Sequence, residues 1–191
     1  MEKQKSTKGW KKGIIIFTCL AVVGGAAGFF SMNKPEERIS SSKWESYSPR
    51  NSRFLIQFPK APEATADRIN VANTLVTYYH LSAEEKDSVY AITYLDFPGV
   101  WKLLGVKKLL NKTFTKMIER EKDVEQVLER EISSYKGYPA LTFRYQKAGK
   151  ELMGKFIVVG TTLYRISVTY PQSTTDNASS KAFLDSFQLK Q

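Results

Sequence analysis

The sequence predicts an α+β fold: a mainly antiparallel β-sheet packed with one long and one short helix, preceded by a single N-terminal transmembrane helix. Three observations predict it. Residues 13–30 form an uncharged, largely apolar run. Beyond residue 53, segments rich in β-branched and aromatic residues alternate apolar with polar positions and are separated by short turn signals. Between two groups of such segments, one stretch carries apolar residues at three- and four-residue steps, the period of a helix face.

The apolar run comes first. As a helix its eighteen residues span about 27 Å, close to the roughly 30 Å hydrocarbon core. A cleavable export signal has a shorter apolar core, about 7–15 residues. Trp10 and the pair Phe29–Phe30 stand at its two borders, where interfacial aromatics settle. Gly24, Gly25, Ala26, Ala27 and Gly28 offer a peptidase the small side chains it needs, yet length favours a retained anchor. Lys3, Lys5, Lys8, Lys11 and Lys12 precede the run, whereas Lys34, Glu36, Glu37 and Arg38 beyond it nearly cancel. By the positive-inside rule the N-terminus is cytoplasmic and the remainder lies outside the inner (plasma) membrane. Gly24 and Gly28 form a G-x-x-x-G through which two anchors could pack.

The expected organisation is a cytoplasmic basic segment (1–12), a signal-anchor (13–30), a polar linker (31–52) and an extracytoplasmic α+β domain (53–191). The linker is Ser-rich and broken by Pro35 and Pro49. The domain opens with a strand in "RFLIQFP", where Phe54, Ile56 and Phe58 alternate with other positions and Pro59 closes the run. "NTLVTYYHL" and "SVYAITYLDF" follow as a hairpin across the charged "SAEEKD".

A helix is expected from about Val100 to Lys122, with Leu103, Val106, Leu110, Phe114 and Met117 as its apolar stripe. "VEQVLEREISSY" suits either an extension of that helix or a strand, the strand being favoured in its second half. "ALTFRY", "LMGKFIVVG" and "TLYRISVTY" read as strands, the last two joined by a tight turn at Gly160-Thr161. In the last of them Tyr164, Ile166, Val168 and Tyr170 face one way and Arg165, Ser167 and Thr169 the other. "TTDNASSKAFLDSFQL" begins with good N-cap residues and gives a short helix, with "SFQL" returning as an edge strand.

The stretches "GYPALTFRY", "TTLYRISVTY" and "AFLDSFQL" together resemble the ending of PsbP-like domains, a fold shared with bacterial envelope proteins of the DcrB type. The resemblance implies an α+β sandwich with an accessory, non-catalytic role. It carries over no catalytic or metal-binding residue.

Net charge and residue types narrow the function. The formal charge is +10, of which the first thirty residues hold +4, leaving a moderately basic body suited to anionic lipid or an acidic partner. No Arg/Lys run interleaved with aromatics and no zinc-ligand spacing points to nucleic acid. Cys19 is the only cysteine and lies in the apolar run, so the body has neither a disulfide nor a catalytic thiol. His80 is the only histidine, and with Glu84 and Glu85 it falls at an expected hairpin tip, a poor scaffold for a metal. Glu119, Glu121, Glu125, Glu129 and Glu131 alternate with Arg120, Lys122 and Arg130, which suits a solvated face better than a pair of catalytic carboxylates.

One pattern suggests contact with a surface. Lys108, Lys112 and Lys116 recur at four-residue steps opposite the apolar stripe, with Lys102 near their line and Trp101 and Leu109 at the border. Such a helix can rest on anionic headgroups with Trp101 at the interface. The expected function is therefore a non-enzymatic, membrane-tethered accessory or binding domain contacting an envelope protein or an apolar ligand, without a cofactor. The alternatives are a cell-surface hydrolase using acidic residues, or a structural subunit that oligomerises through Gly24 and Gly28.

Overall fold

A computed structural model of the chain describes residues 44–50, 52–71, 74–98, 105–174 and 178–190. Along the described residues the elements are β1 (Glu45–Tyr47), β2 (Phe54–Phe58), β3 (Glu63–Val71), β4 (Thr74–Glu85), β5 (Ser88–Asp96) and α1 (Val106–Arg120). They continue with β6 (Val124–Tyr135), β7 (Tyr138–Lys147), β8 (Lys150–Val159), β9 (Thr162–Pro171), α2 (Ala178–Ser186) and β10 (Gln188–Leu189). A seven-stranded sheet has the order β3-β4-β5-β9-β8-β7-β6, and a small sheet has the order β1-β2-β10. Every ladder in both is antiparallel.

The large sheet is two meanders, β3–β5 and β6–β9, joined where β5 pairs with β9. Two-residue loops drive the local pairing. Lys86-Asp87, Lys136-Gly137 and Ala148-Gly149 each place two successive residues at positive φ, the sign pattern of a type I′ turn. That turn matches the twist of the strands it joins. Only the second residue of the latter two loops is glycine, so Lys86, Asp87, Lys136 and Ala148 accept a left-handed backbone that the rest of each hairpin stabilises.

The chain leaves β5 at the centre of the sheet and re-enters at the far edge as β6, so α1 crosses β9, β8 and β7 on the way. That half of one face is apolar. Leu110, Phe114 and Met117 of α1 pack on Leu141, Phe143 and Tyr145 of β7, Phe156 and Val158 of β8, and Leu163 of β9. Burying each such side chain is worth roughly 1.5–3 kcal/mol. On the opposite face, β2 supplies Phe54, Ile56 and Phe58, and α2 with the residue after it supplies Phe183, Leu184 and Phe187, against Tyr90, Ile92, Tyr164, Ile166 and Val168. The sheet is thus the middle layer of a sandwich.

The expected α+β class, with a mainly antiparallel sheet and two helices, is the fold observed. Four stretches differ from expectation. The long helix begins at Val106, behind the non-helical Gly105 at φ 77°, rather than near Val100. Glu45–Tyr47, inside the stretch assigned to the linker, form β1 against β2, and Trp44 packs edge-on against Tyr90 at 5.2 Å. "VEQVLEREISSY" is strand throughout, because its pairing with β7 overrides the helix-compatible composition of its first half. β3, "EATADRINV", forms a full ladder with β4, although its almost wholly exposed side chains give no apolar alternation. No helix among the described residues is long and apolar enough to cross a membrane, and residues 13–30 lie outside those residues.

Candidate functional site

Two features of the fold gather chemistry-bearing side chains. The first is the outer face of α1. At about 100° per residue, Lys108, Lys112 and Lys116 centre roughly 170° around the helix from Leu110, Phe114 and Met117. All three lysines are exposed, while Leu109, Leu110, Phe114 and Met117 are buried. Leu109, which the sequence places at the border of the basic face, therefore belongs to the core side. Lys116 is paired with Glu119 on the same helix, and Lys108 and Lys112 have no partner among the described residues. Trp101, Lys102, Gly24 and Gly28 lie outside the described residues.

The second feature is a row across the large sheet. Thr65, His80, Thr93, Arg165, Phe156, Leu141 and Ile132 are successive register partners on β3, β4, β5, β9, β8, β7 and β6. Residues directly opposite in neighbouring strands share a face, so the row runs unbroken over the side on which α1 lies. It is apolar beneath α1 and turns polar at β9. Arg165, Thr93 and Ser167 are 6%, 4% and 7% exposed. Arg165 and Ser167 stand opposite Tyr164 and Ile166, as alternation in the sequence expects, and both faces of that central strand are covered.

His80 sits mid-strand rather than at a hairpin tip, since β4 continues to Glu85 and the turn is Lys86-Asp87. Its Nδ1 hydrogen-bonds Thr93 Oγ1 at 3.1 Å, and its ring lies parallel to that of Tyr78. Burial, and then the positive charge of Arg165, lower the imidazole's pKa below its ordinary 6.5. Among the described residues no carboxylate lies within ion-pair distance of Arg165, and its buried Nε has no hydrogen-bond partner. Glu63, Asp67 and Glu84 share the face but lie in exposed positions at its outer end.

The acidic run of the sequence does not converge. Glu119 pairs with Lys116, Glu121 with Lys147, Glu125 accepts the Gly149 backbone N–H, and Glu129 lies 4.0 Å from Arg144. Each of these carboxylates has its own partner on α1 or along β6 to β8. No group of three metal-ligating side chains occurs among the described residues. Between α1 and the sheet a space of about 20 Å³ remains, lined by Phe97, Val106, Leu109 and Val158, among others. It has room for about one water, so an apolar ligand there would require α1 to move.

No family model and no curated protein matches the chain. Among solved structures, the solution structure of cyanobacterial PsbP (CyanoP) from Synechocystis sp. PCC 6803 superposes with a TM-score of 0.53. That alignment covers 82% of this chain and 98% of that one at 12% identity. PA94 from Pseudomonas aeruginosa, a protein of unknown function, aligns over 68% of this chain and 84% of its own at 10% identity, with a TM-score of 0.38. The body of the chain therefore has a PsbP-like fold, as the stretches in β7, β9 and α2–β10 imply. At such identity the likeness speaks to architecture alone.

Proposed function

We propose that the chain is a non-enzymatic binding domain tethered to the plasma membrane by residues 13–30, held on the extracytoplasmic side with the basic face of α1 against anionic headgroups. The observation that carries this reading is the division of α1. Its apolar side is consumed by β7 and β8, and its opposite side offers three exposed lysines in line. A point charge on a flexible stem suits a fluid anionic surface, which demands no fixed geometry. The anchor supplies the second signal that makes weak electrostatic adhesion persistent. The PsbP-like fold fits an accessory domain of this kind, and Glu119, Glu121, Glu125 and Glu129, each held by a separate partner, give no support to a surface hydrolase.

Amine footprinting of the full chain tests the reading. In nanodiscs containing phosphatidylglycerol, Lys108 and Lys112 should acetylate several-fold more slowly than in phosphatidylcholine nanodiscs. The protection should fade in high salt, and the exposed Lys150 at the start of β8 serves as a control. Equal reactivity in both lipids rejects the headgroup contact. Protease added to intact spheroplasts should digest the domain; survival until the membrane is opened rejects the topology.

A further inference from the structure

We propose that the row His80–Thr93–Arg165, with Ser167 beside it, is a binding recess for the carboxylate group of an organic monoanion. A buried guanidinium without a counter-charge is costly, and its planar fork matches a carboxylate's two oxygens. Arg165 meets that condition: it is buried, its Nε is unpaired, and no carboxylate of the described residues reaches it.

The surroundings fit an incoming acceptor. Thr93 adjoins Arg165 across the β5–β9 ladder, and Ser167 follows two residues along the same strand face. Both hydroxyls are buried and can donate to an oxygen, Thr93 while its own oxygen accepts the His80 Nδ1–H. His80 stays neutral beside Arg165, so the recess holds one positive charge. One positive charge compensates a carboxylate and leaves a phosphate dianion with uncancelled charge in a poorly solvated place. The row also has an open end. His80 and Tyr78 are half-buried and Thr65 on β3 is exposed, so a ligand enters from the β3–β4 side, away from α1. At the inner end Phe156 adjoins Arg165 and gives an apolar wall. This site is independent of the lysine face and of any lipid contact.

His80 is the only histidine in the chain, so its two ring carbon protons report on the recess alone. The untagged full chain in detergent micelles is titrated at constant pH with sodium acetate, and separately with sodium chloride and with inorganic phosphate at matched ionic strength. Acetate is expected to move the His80 signals saturably, chloride to leave them in place, and phosphate to bind more weakly than acetate. Arg165→Gln should abolish the shift, and Arg165→Lys should weaken it by about tenfold, because an ammonium lacks the bidentate fork. Absence of a saturable acetate shift in the unsubstituted chain overturns the proposal, as does a chloride response of equal size. An unchanged shift in Arg165→Gln, or tighter binding of phosphate, also overturns it. If Arg165→Gln does not fold, the unsubstituted chain and Arg165→Lys still decide the matter.

Discussion

Gly154 shows how one missing side chain lets β7 and β9 close in on the strand between them. A Cβ at this position would stand 2.5 Å from the carbonyl oxygen of Ile166 and 2.7 Å from Cζ of Phe143. The obstacle is partly backbone of the adjacent strand, so the neighbour cannot swing away, and Gly154→Ala should cost about 1–3 kcal/mol, read as a lowered urea midpoint. At His80 the folded chain holds its proton less readily than the unfolded chain. Acidification through 6.5 therefore protonates the unfolded chain first, and stability falls as pH drops from the unfolded value toward the folded one. The urea midpoint of His80→Gln should decline less steeply between about pH 7 and pH 5 than that of the unsubstituted chain. Tyr94 behaves in the opposite sense. Burial, then the neighbouring Tyr79, Tyr164, Tyr47 and Asp96, push its phenol up to about 12. The unfolded chain ionises first as pH rises past 10, so alkaline unfolding should set in between those two values and move upward in Tyr94→Phe. The polar row itself is hidden from the sequence. Alternation in "TLYRISVTY" correctly separates Arg165 and Ser167 from Tyr164 and Ile166, but alternation cannot tell whether the second face meets water. That depends on β9 being central, which only the long-range pairing decides.

Among the elements, α1 is the most legible, because a helix with one apolar stripe needs a sheet face as wide as that stripe. Phe114 is its anchor. Its ring packs 5.7 Å from that of Phe143, and the Arg130 guanidinium lies 5.1 Å over its face while hydrogen-bonding Asn111. Phe114→Ala should lower stability by about 3–5 kcal/mol in equilibrium unfolding. Arg130→Ala removes an exposed bond and a cation–π contact and should cost far less, about 1 kcal/mol. β5, β7, β8 and β9 are legible for a similar reason: each buries at least one face, so selection of apolar residues every second position is strong. β3 and β6 are edge strands, β3 almost wholly exposed and β6 without a fully buried residue, so their pairing rests largely on backbone hydrogen bonds that leave no mark in composition. β1 is three residues long and packs through Tyr47 against Phe58, too brief for any periodicity to register.

At the scale of the whole molecule, the two proposed surfaces lie on different parts of one side of the sheet: α1 over β7 and β8, the polar row over β4, β5 and β9. A chain resting on headgroups through Lys108 and Lys112 would keep the open end of the row at β3–β4 beside the membrane rather than under it. Substituting Lys108 and Lys112 by Gln should then abolish the lipid-dependent footprint and leave the His80 acetate shift unchanged, which separates the two surfaces in one pair of measurements. The β5–β9 ladder has a consequence of its own. It is the hydrogen-bonded seam between the two meanders, and it brings together Asp96 and Thr162, 66 positions apart. Each meander can assemble from neighbours in the chain, whereas the seam waits for a long loop to close, so it governs how slowly the molecule matures. A cystine across this seam, made by Asp96→Cys and Thr162→Cys in a chain whose Cys19 is replaced by Ser, removes that closure from the unfolded ensemble. It should add about 4 kcal/mol in the oxidised form and hasten refolding, with both gains lost on reduction.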